Sequence, residues 1–426
     1  MKEKTITVQR VAAKAEEGLY LMVPFSVPEE AASMELSYEY DRKNNIIDFG
    51  LLNETGELIG WSGSNRNQIF LSDGRSSDGF ASVPIRQGEW NILLGAYQIQ
   101  EQGVEITYKV TFHVKGMRLL KGDTHLHSTG SDGNMSVEEL ALGAEREGLD
   151  FLFVTDHNNY AHNNWLRSTE QVTMIPGVEW THYKGHMGML GRKRPFRSFL
   201  SNSLGRTVEI LKEAGDSGAF RVINHPFCRW CGWKWGLEQV PFDGVEVWNG
   251  GLEPESNQDC LSWWDERLKE GKKIPITGGS DFHKYEPGRM PASPCTCVYA
   301  MSNSAEDILE GLKKGHSYLS ISPEGPMMEA WAGDRLMGDD IHRGFIIRFT
   351  FWNLKKGDVI SLVSKERREE IPCDSDRLSM ERKAGEPGYL RVEIRRSLIP
   401  GYPQTTVLLS NPFYITGDKV ERKNVF

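Results

Sequence analysis

The sequence predicts a multidomain protein built around a central α/β barrel. Three observations carry this. The 426 residues exceed one ordinary domain of about 100–200 residues. Strand-like and helix-like runs alternate between residues 116 and 320, the rhythm of a barrel of parallel strands. Both flanks carry short apolar or alternating runs and no helical period. The expected domains are an N-terminal β-sandwich at 1–115, the barrel at 116–320 and a small C-terminal β-domain at 321–426.

In the first region, residues 18–23, 34–40, 46–52, 68–71, 90–94 and 104–114 read as strands. Turn-rich stretches such as Asn53-Glu-Thr-Gly and Ser62-Gly-Ser-Asn separate them. Trp61, Trp90 and Tyr97 are expected in the core, because aromatic burial dominates small sandwiches.

The central region opens with a strand at 119–124. Ser136 followed by Glu139 is a capping box, so a helix is expected at 137–147, stopped by Gly148. Strands follow at 150–155, 172–178 and 187–190, then a helix at 206–214. Strands at 220–223 and 244–248, a helix at 256–270, strands at 274–277 and 295–299 and a helix at 304–314 complete the series. Beyond residue 320, strands are expected at 344–352, 359–364, 388–394 and 402–409, with the charged stretch 374–387 as a loop.

Hydrophobic content of 39% and charged content of 26% suit a globular chain with real cores. A net charge of −9 argues against gripping nucleic acid, which needs a basic face, but leaves room for one local basic pocket. Residues 1–10 have no apolar h-region, and no run reaches the ~18 apolar residues of a membrane span. With six sparse cysteines, a reducing cytoplasm is the expected setting, with no membrane partner. Cys228-Arg-Trp-Cys231 and Cys295-Thr-Cys297 suggest a structural zinc site. The second pair lacks the usual two to four intervening residues, so small half-buried side chains near a cleft are the better reading.

The chemistry lies at strand ends. In a strand, residues i and i+2 share a side, so His125 and His127 reach one point, with Asp132 five residues on. Later strands lead to Asp156-His157, Glu179, His225, Asn249 and Asp281-Phe-His283, and His186 opens the strand at 187–190. Each has a plain alternative: Asp156 as a helix cap, His225-Pro226 as a turn, Asp281 and His283 as a surface pair. Together they take in six of the eleven histidines, all but His186 at or close to the strand ends that form one barrel face. Imidazole and carboxylate suit Zn²⁺, Mn²⁺ or Fe²⁺. There are too many donors for one tetrahedral ion, so two or three divalent ions with a bridging carboxylate are expected.

The order His-x-His, Asp, Asp-His, Glu, His, His-Pro, Asp-x-His resembles the PHP (polymerase and histidinol phosphatase) superfamily. Gly122-Asp-Thr-His-Leu-His-Ser, Val154-Thr-Asp-His-Asn, Gly185-His-Met-Gly-Met-Leu-Gly and Val245-Glu-Val-Trp-Asn resemble its CehA/McbA branch of bacterial metallohydrolases. The resemblance covers residues 118 to about 320 and implies a distorted (β/α)7 barrel. It implies that His125, His127, Glu179 and Asp281 hold one ion. Glu179 then bridges to a second, completed by His186 and His225, and Asp132, His157 and His283 hold a third. His182 competes with His186, which is preferred for its Gly-His context, and Asp156 is expected to orient a metal-holding histidine.

No Gly-x-Ser-x-Gly or Walker loop is present. The expected reaction is therefore attack of a metal-bridging hydroxide on a small-molecule phosphoester, as a phosphatase or phosphodiesterase, with Asp281 or His283 moving a proton to the leaving oxygen. The same site could hydrolyse a carbamate, ester or amide, a chemistry that the resembled branch includes for carbamates. A protein that binds metal without catalysis is the third reading. Lys184, Arg192, Arg229, Lys284 and Arg289 are candidate anion binders, Arg229 foremost. Asn249 is a candidate hydrogen-bond partner of substrate, and Trp230, Trp233, Trp235 and Trp248 candidate pocket walls. Oligomeric state leaves no mark in the sequence.

Overall fold

The computed structural model describes residues 3–169, 171–250, 254–286, 289–399 and 401–417. The chain packs as two units, Met1–Arg118 with Arg167–Thr173, and Leu119–Leu166 with Met174–Phe426.

Among the described residues the first unit has strands β1 (Glu3–Ala12), β2 (Tyr20–Val27), β3 (Ala31–Tyr40), β4 (Ile46–Leu52), β5 (Leu58–Ser62), β6 (Gln68–Ser72), β7 (Gly88–Gln98) and β8 (Val104–Val114). They form two four-stranded sheets, ordered β1-β8-β3-β6 and β2-β7-β4-β5. Strand alternation builds the core. Ile106, Tyr108, Val110 and Phe112 of β8 are buried, as are Phe49 of β4 and Trp90 and Ile92 of β7, and all join one cluster. Of the three aromatics expected in the core, only Trp90 is buried; Trp61 is half-buried and Tyr97 exposed. Tyr97 follows Ala96 on the outward side of the pleat. Strand β1 was not expected. Its apolar alternation is short, Ile6 and Val8 half-buried between exposed neighbours, and it gains its place by pairing with β8 along its full length.

In the second unit, strands β9 (Arg118–Leu126), β10 (Phe151–Val154), β11 (Thr173–His182), β12 (Gly185–Leu190), β13 (Phe220–Asn224), β14 (Gly244–Asn249) and β15 (Ile276–Gly279) lie side by side. They alternate with helices α1 (Val137–Arg146), α2 (Leu204–Asp216) and α3 (Pro254–Lys269). After them come β16 (Cys295–Ala300), α4 (Ala305–Lys314) and β17 (Ser317–Ser320). The capping box of α1 forms as its sequence dictates: Glu139 N donates to Ser136 Oγ at 3.2 Å and Ser136 N to Glu139 Oε2 at 2.8 Å. Gly148 ends the turn with φ of 66°, a conformation costly for other residues.

The strands are not uniformly parallel. β9 and β10, β13 and β14, and β14 and β15 pair parallel, but β12 runs antiparallel to both β11 and β13. Only Tyr183 and Lys184 separate β11 from β12, too short a link for a parallel crossover. The hydrogen-bonded path is open. It continues from β9 through β16 and β17 to Thr405–Ser410, Gly388–Arg396 and Val359–Ser364. Strand β9 also approaches β15 and the segment after it, through a Leu126–Phe282 bridge and a Thr124 Oγ1 hydrogen bond to Gly278 O at 3.1 Å. Residues 321–417 belong to this second unit. Within the expected loop 374–387, Arg377–Lys383 is a strand paired with Ile346–Trp352; its alternation of exposed and half-buried residues is masked by charge. Among the described residues no helix is long and apolar enough to cross a membrane.

Candidate metal centre

Strand β9 carries His125 and ends one residue before His127. His157 follows β10, Glu179 lies within β11, His225 follows β13, and Asp281 and His283 follow β15. His186 opens its strand, yet reaches the same place. Because β12 is antiparallel, its start pairs with the end of β13, His186 opposite Asn224. Small side chains permit the approach: a Cβ on Gly279 would lie 2.3 Å from His125 Cβ. Asn158, His225 and Asp281 hold positive φ of 51°, 30° and 51°, a backbone strain that gathers around this site.

The centre of the cluster is the carboxylate of Glu179, wholly buried. Its Oε1 lies 3.2 Å from His125 Nε2 and 3.3 Å from both His186 Nδ1 and His225 Nε2, and accepts from Asn224 Nδ2 at 2.8 Å. Its Oε2 is 2.7 Å from His157 Nδ1 and 3.7 Å from His127 Nε2, but finds no hydrogen-bonding geometry. His127 Nε2 stands 3.3 Å from His125 Nε2 and 3.2 Å from Asp281 Oδ1. At the outer edge His283 Nε2 is 3.3 Å and His157 Nε2 3.6 Å from the Asp132 carboxylate.

Four imidazoles have a partner on Nδ1, which turns Nε2 of His125 and His225 toward Glu179 and Nε2 of His157 and His283 toward Asp132. His125 Nδ1 meets Glu246 Oε1 at 2.9 Å, and His225 Nδ1 meets Cys231 Sγ at 3.5 Å. His283 Nδ1 meets the Asp281 carbonyl at 2.8 Å. His157 Nδ1 meets Thr181 Oγ1 at 2.6 Å, and that hydroxyl donates to the Glu179 carbonyl. Burial pushes the Glu179 carboxyl up, but His186 and His125 outweigh it and hold the group well below its usual range. Asp281 behaves likewise: burial is outweighed by His125 and His127. His125 is held well above the usual imidazole value, because Glu246, Glu179 and Asp281 outweigh its burial.

These donors fit divalent ions. Two nitrogens or oxygens about 2.0–2.1 Å from one tetrahedral ion stand about 3.3 Å apart, the spacing repeated through this cluster. Unpaired imidazole lone pairs and carboxylate oxygens in a buried site need a cation to offset their desolvation. Groups of donors within 4.8 Å of one another are His125, His127 and Glu179; His125, His225 and Asp281; His157, Glu179 and His186; and His127, Asp132, His157 and His283. All nine residues expected as ligands are thus brought together. His157 is shared between the last two groups, and His225 also groups with His125 and Asp281.

Other expected residues lie elsewhere. His182 is outside the cluster: its Nε2 faces the Ser201 carbonyl at 3.1 Å and its Nδ1 accepts from Lys184 N at 3.0 Å, so both nitrogens are engaged. Asp156 meets groups other than the clustered histidines. It accepts from Ser128 N, Ser128 Oγ and Ser131 Oγ at 2.7, 2.6 and 2.9 Å, and lies 2.8 Å from His162 Nδ1, so it fixes the loop that carries Asp132. Asn249 Nδ2 is committed to Glu246 Oε2 at 3.0 Å. Arg229 is exposed and paired with Glu255. Lys184 Nζ sits over the Trp235 ring, 4.6 Å from its centroid, and Arg192 is bonded to the Ser217 carbonyl at the end of α2. Lys284 pairs with Glu286 at 2.9 Å. Among the proposed walls, Trp233 and Trp235 are buried and Trp230 is exposed. Cys228 and Cys231 group with His225, whereas Cys295 and Cys297 are buried in β16; no donor group among the described residues joins the two pairs.

Glu246 was overlooked by sequence reasoning. It binds His125 through one oxygen and accepts from His225 N at 3.0 Å through the other. A carboxylate in the apolar run Val245-Glu-Val was its signal, since a buried charge needs partners. Asp123 was missed too. Its buried carboxylate accepts from His125 N at 3.1 Å, Ser280 N at 3.1 Å and Ala292 N at 2.7 Å, tying β9 to the segment before Asp281.

No family model matches the chain. A 150-residue stretch is 38% identical to the DNA polymerase/3'-5' exonuclease PolX of Bacillus subtilis (strain 168), covering 30% of this chain and 26% of that protein. The chain thus spans about a quarter of the length of this curated relative. A solved two-domain protein from Bacteroides vulgatus, described as containing a predicted PHP-like metal-dependent phosphoesterase, is 22% identical at a TM-score of 0.38, covering 70% of this chain and 96% of that one. An amidohydrolase from Chromobacterium violaceum is 15% identical at a TM-score of 0.28, covering 39% of this chain and 89% of that one. At these TM-scores neither structure assigns a fold or an activity.

Proposed function

We propose that this chain is a PHP-type metal-dependent hydrolase, of the CehA/McbA kind, that cleaves a phosphoester of a small molecule. Its central strands then correspond to a distorted (β/α)7 barrel, and two or three Zn²⁺, Mn²⁺ or Fe²⁺ ions occupy the cluster. The carrying observation is Glu179: one wholly buried carboxylate with nitrogens of five imidazoles 2.7–3.7 Å from its oxygens. A purely structural ion-pair network has no need of five histidines, whereas a bridged metal pair does.

His125, His127 and Asp281 would hold one ion, His186 and His225 the next, and Glu179 would join them. Asp132, His157 and His283 would take a third. Bound divalent ions lower the pKa of water and neutralise phosphoryl oxygens. The chain's own part is to fix the donors: Glu246, Thr181 and Asp123 leave the inward nitrogens little freedom. Asp281 and His283 stand at the outer side, where side-chain exposures of 17% and 20% let either group exchange a proton with a leaving oxygen. Selectivity for phosphate over carbamate rests on charge: a dianionic group gains more from clustered cations than a neutral carbonyl does.

The test is direct. Purified protein loaded with Mn²⁺ or Zn²⁺ is assayed on p-nitrophenyl phosphate, bis(p-nitrophenyl) phosphate and a p-nitrophenyl carbamate. Metal-dependent turnover of a phosphate ester is expected, with Asp281→Asn reducing it strongly. Turnover of the carbamate alone would transfer the site to the second chemistry, and turnover of none would leave a binding protein.

A further inference from the structure

One pair of nucleophilic side chains beside the cluster has no part in the hydrolytic reading. Cys228 and Cys231 lie on the loop that follows His225, and both are free, half-buried thiols. Trp230 between them is 84% exposed, so the turn meets solvent and small oxidants can reach it. The loop is tied back on itself. Cys228 N donates to His225 O at 2.9 Å, Gly232 N to Cys228 O at 3.0 Å and Trp233 N to Pro226 O at 2.8 Å.

This turn holds the two sulfurs 2.6 Å apart, inside the contact distance of unbonded sulfur atoms. Sulfurs this close can join with little movement of the turn. Cys231 Sγ also faces His225 Nδ1 at 3.5 Å, while the opposite nitrogen of that ring faces Glu179 Oε1 at 3.3 Å. A sulfur that accepts from Nδ1–H keeps the proton off Nε2, the nitrogen aimed at the metal centre.

We propose that Cys228 and Cys231 are a reversible oxidation site that acts on the metal centre through His225. The coupling to metal rests on the hydrolase reading; the thiol chemistry does not. With a peroxide as oxidant, one cysteine sulfur attacks a peroxide oxygen, the O–O bond breaks, and a sulfenic acid and one water result. The other sulfur then attacks the sulfenic sulfur, forms the S–S bond and releases a second water. Two thiols are oxidised by two electrons and the peroxide is reduced to two waters. A dithiol reductant reverses the step by exchange. In the disulfide Cys231 is a poorer acceptor and is drawn toward Cys228, so His225 loses the partner that fixes its tautomer.

The full chain, freed of metal, is treated with hydrogen peroxide or with dithiothreitol and desalted. Trypsin cuts after Arg229, so a Cys228–Cys231 disulfide appears as two joined peptides by mass spectrometry, and as single peptides after dithiothreitol. Mn²⁺ affinity is then measured on both forms by calorimetry. Oxidation is expected to weaken it by about 10-fold or more, as loss of a histidine's outer partner does. Dithiothreitol restores it, and Cys228→Ser protein, which cannot form the bond, stays insensitive to peroxide. Absence of the joined peptides, or joined peptides with unchanged Mn²⁺ affinity, overturns the proposal while the hydrolase reading stands. A reduced protein that takes up no Mn²⁺ overturns the hydrolase reading, and the coupling with it.

Discussion

Replacing Glu246 by glutamine changes one oxygen to an NH₂ group and leaves the shape intact. The structure says why this small change matters. Oε1 faces His125 Nδ1 at 2.9 Å, and Oε2 accepts from His225 N at 3.0 Å and Asn249 Nδ2 at 3.0 Å. Both sides of the carboxylate therefore face donors. A glutamine must turn its NH₂ toward one of them. Turned toward His225 N and Asn249 Nδ2, it leaves buried donors opposed, at a cost of about 1–3 kcal/mol. Turned toward His125, it forces that ring to carry its proton on Nε2, the nitrogen 3.2 Å from Glu179 that would bind metal. Either way affinity for the ion at His125 should fall about 10–100-fold, roughly 1.4–2.7 kcal/mol. Calorimetric titration of metal-free wild-type and Glu246→Gln protein with Mn²⁺ measures this, with circular dichroism as the check on folding. A folded variant that binds within twofold of wild type would refute the reasoning.

Three further outcomes follow from particular contacts. His186→Asn should lose bound metal while His182→Asn keeps it, because both nitrogens of His182 already have backbone partners; metal analysis of the two purified variants decides. Arg391 is wholly buried, bound to Asp265 by bonds of 2.8 and 2.7 Å and to Glu393 at 3.3 Å, so Asp265→Ala should cost about 1.5–3 kcal/mol in urea unfolding by removing the nearer carboxylate, and a loss under about 0.5 kcal/mol would contradict this. Burial pushes the Asp339 carboxyl up, but its hydrogen bonds from His316, at 3.0 Å, and Leu336 N, at 2.9 Å, outweigh this and hold it below the ordinary 3.8. An acid so lowered stabilises the fold above pH 3.8 and loses that contribution as pH falls through its folded value. The stability advantage of wild type over Asp339→Asn, measured by urea unfolding, should therefore narrow between pH 5 and pH 3; a constant gap would count against it.

The sequence carried most of what depends on local rules. Ser136, Glu139 and Gly148 mark a helix because capping is decided within a few residues. The histidines and carboxylates of the cluster were visible because each falls at or near a strand with strong apolar character. What stayed hidden depends on pairing between distant segments. Strand β1 and the strand Arg377–Lys383 are charged, and only their partners make them strands. The antiparallel course of β12, which brings His186 to the site, follows from the two-residue link before it. Glu246 and Asp123 looked like parts of strands, and their buried oxygens gain meaning only from the His125 ring and backbone that they meet. His182 and His186 differ little as sequence; the Ser201 carbonyl and the Lys184 N–H separate them in space.

The most direct test concerns Glu179 as a bridge. Metal-free protein is titrated with Mn²⁺ and followed by electron paramagnetic resonance, with Glu179→Gln in parallel. Two ions that share this carboxylate interact magnetically, so the isolated-ion spectrum of the first equivalent should give way to the many-line spectrum of a coupled pair, and Glu179→Gln should abolish it. An isolated-ion spectrum that persists at two equivalents, or wild-type protein that binds no Mn²⁺, would contradict a bridged metal centre here.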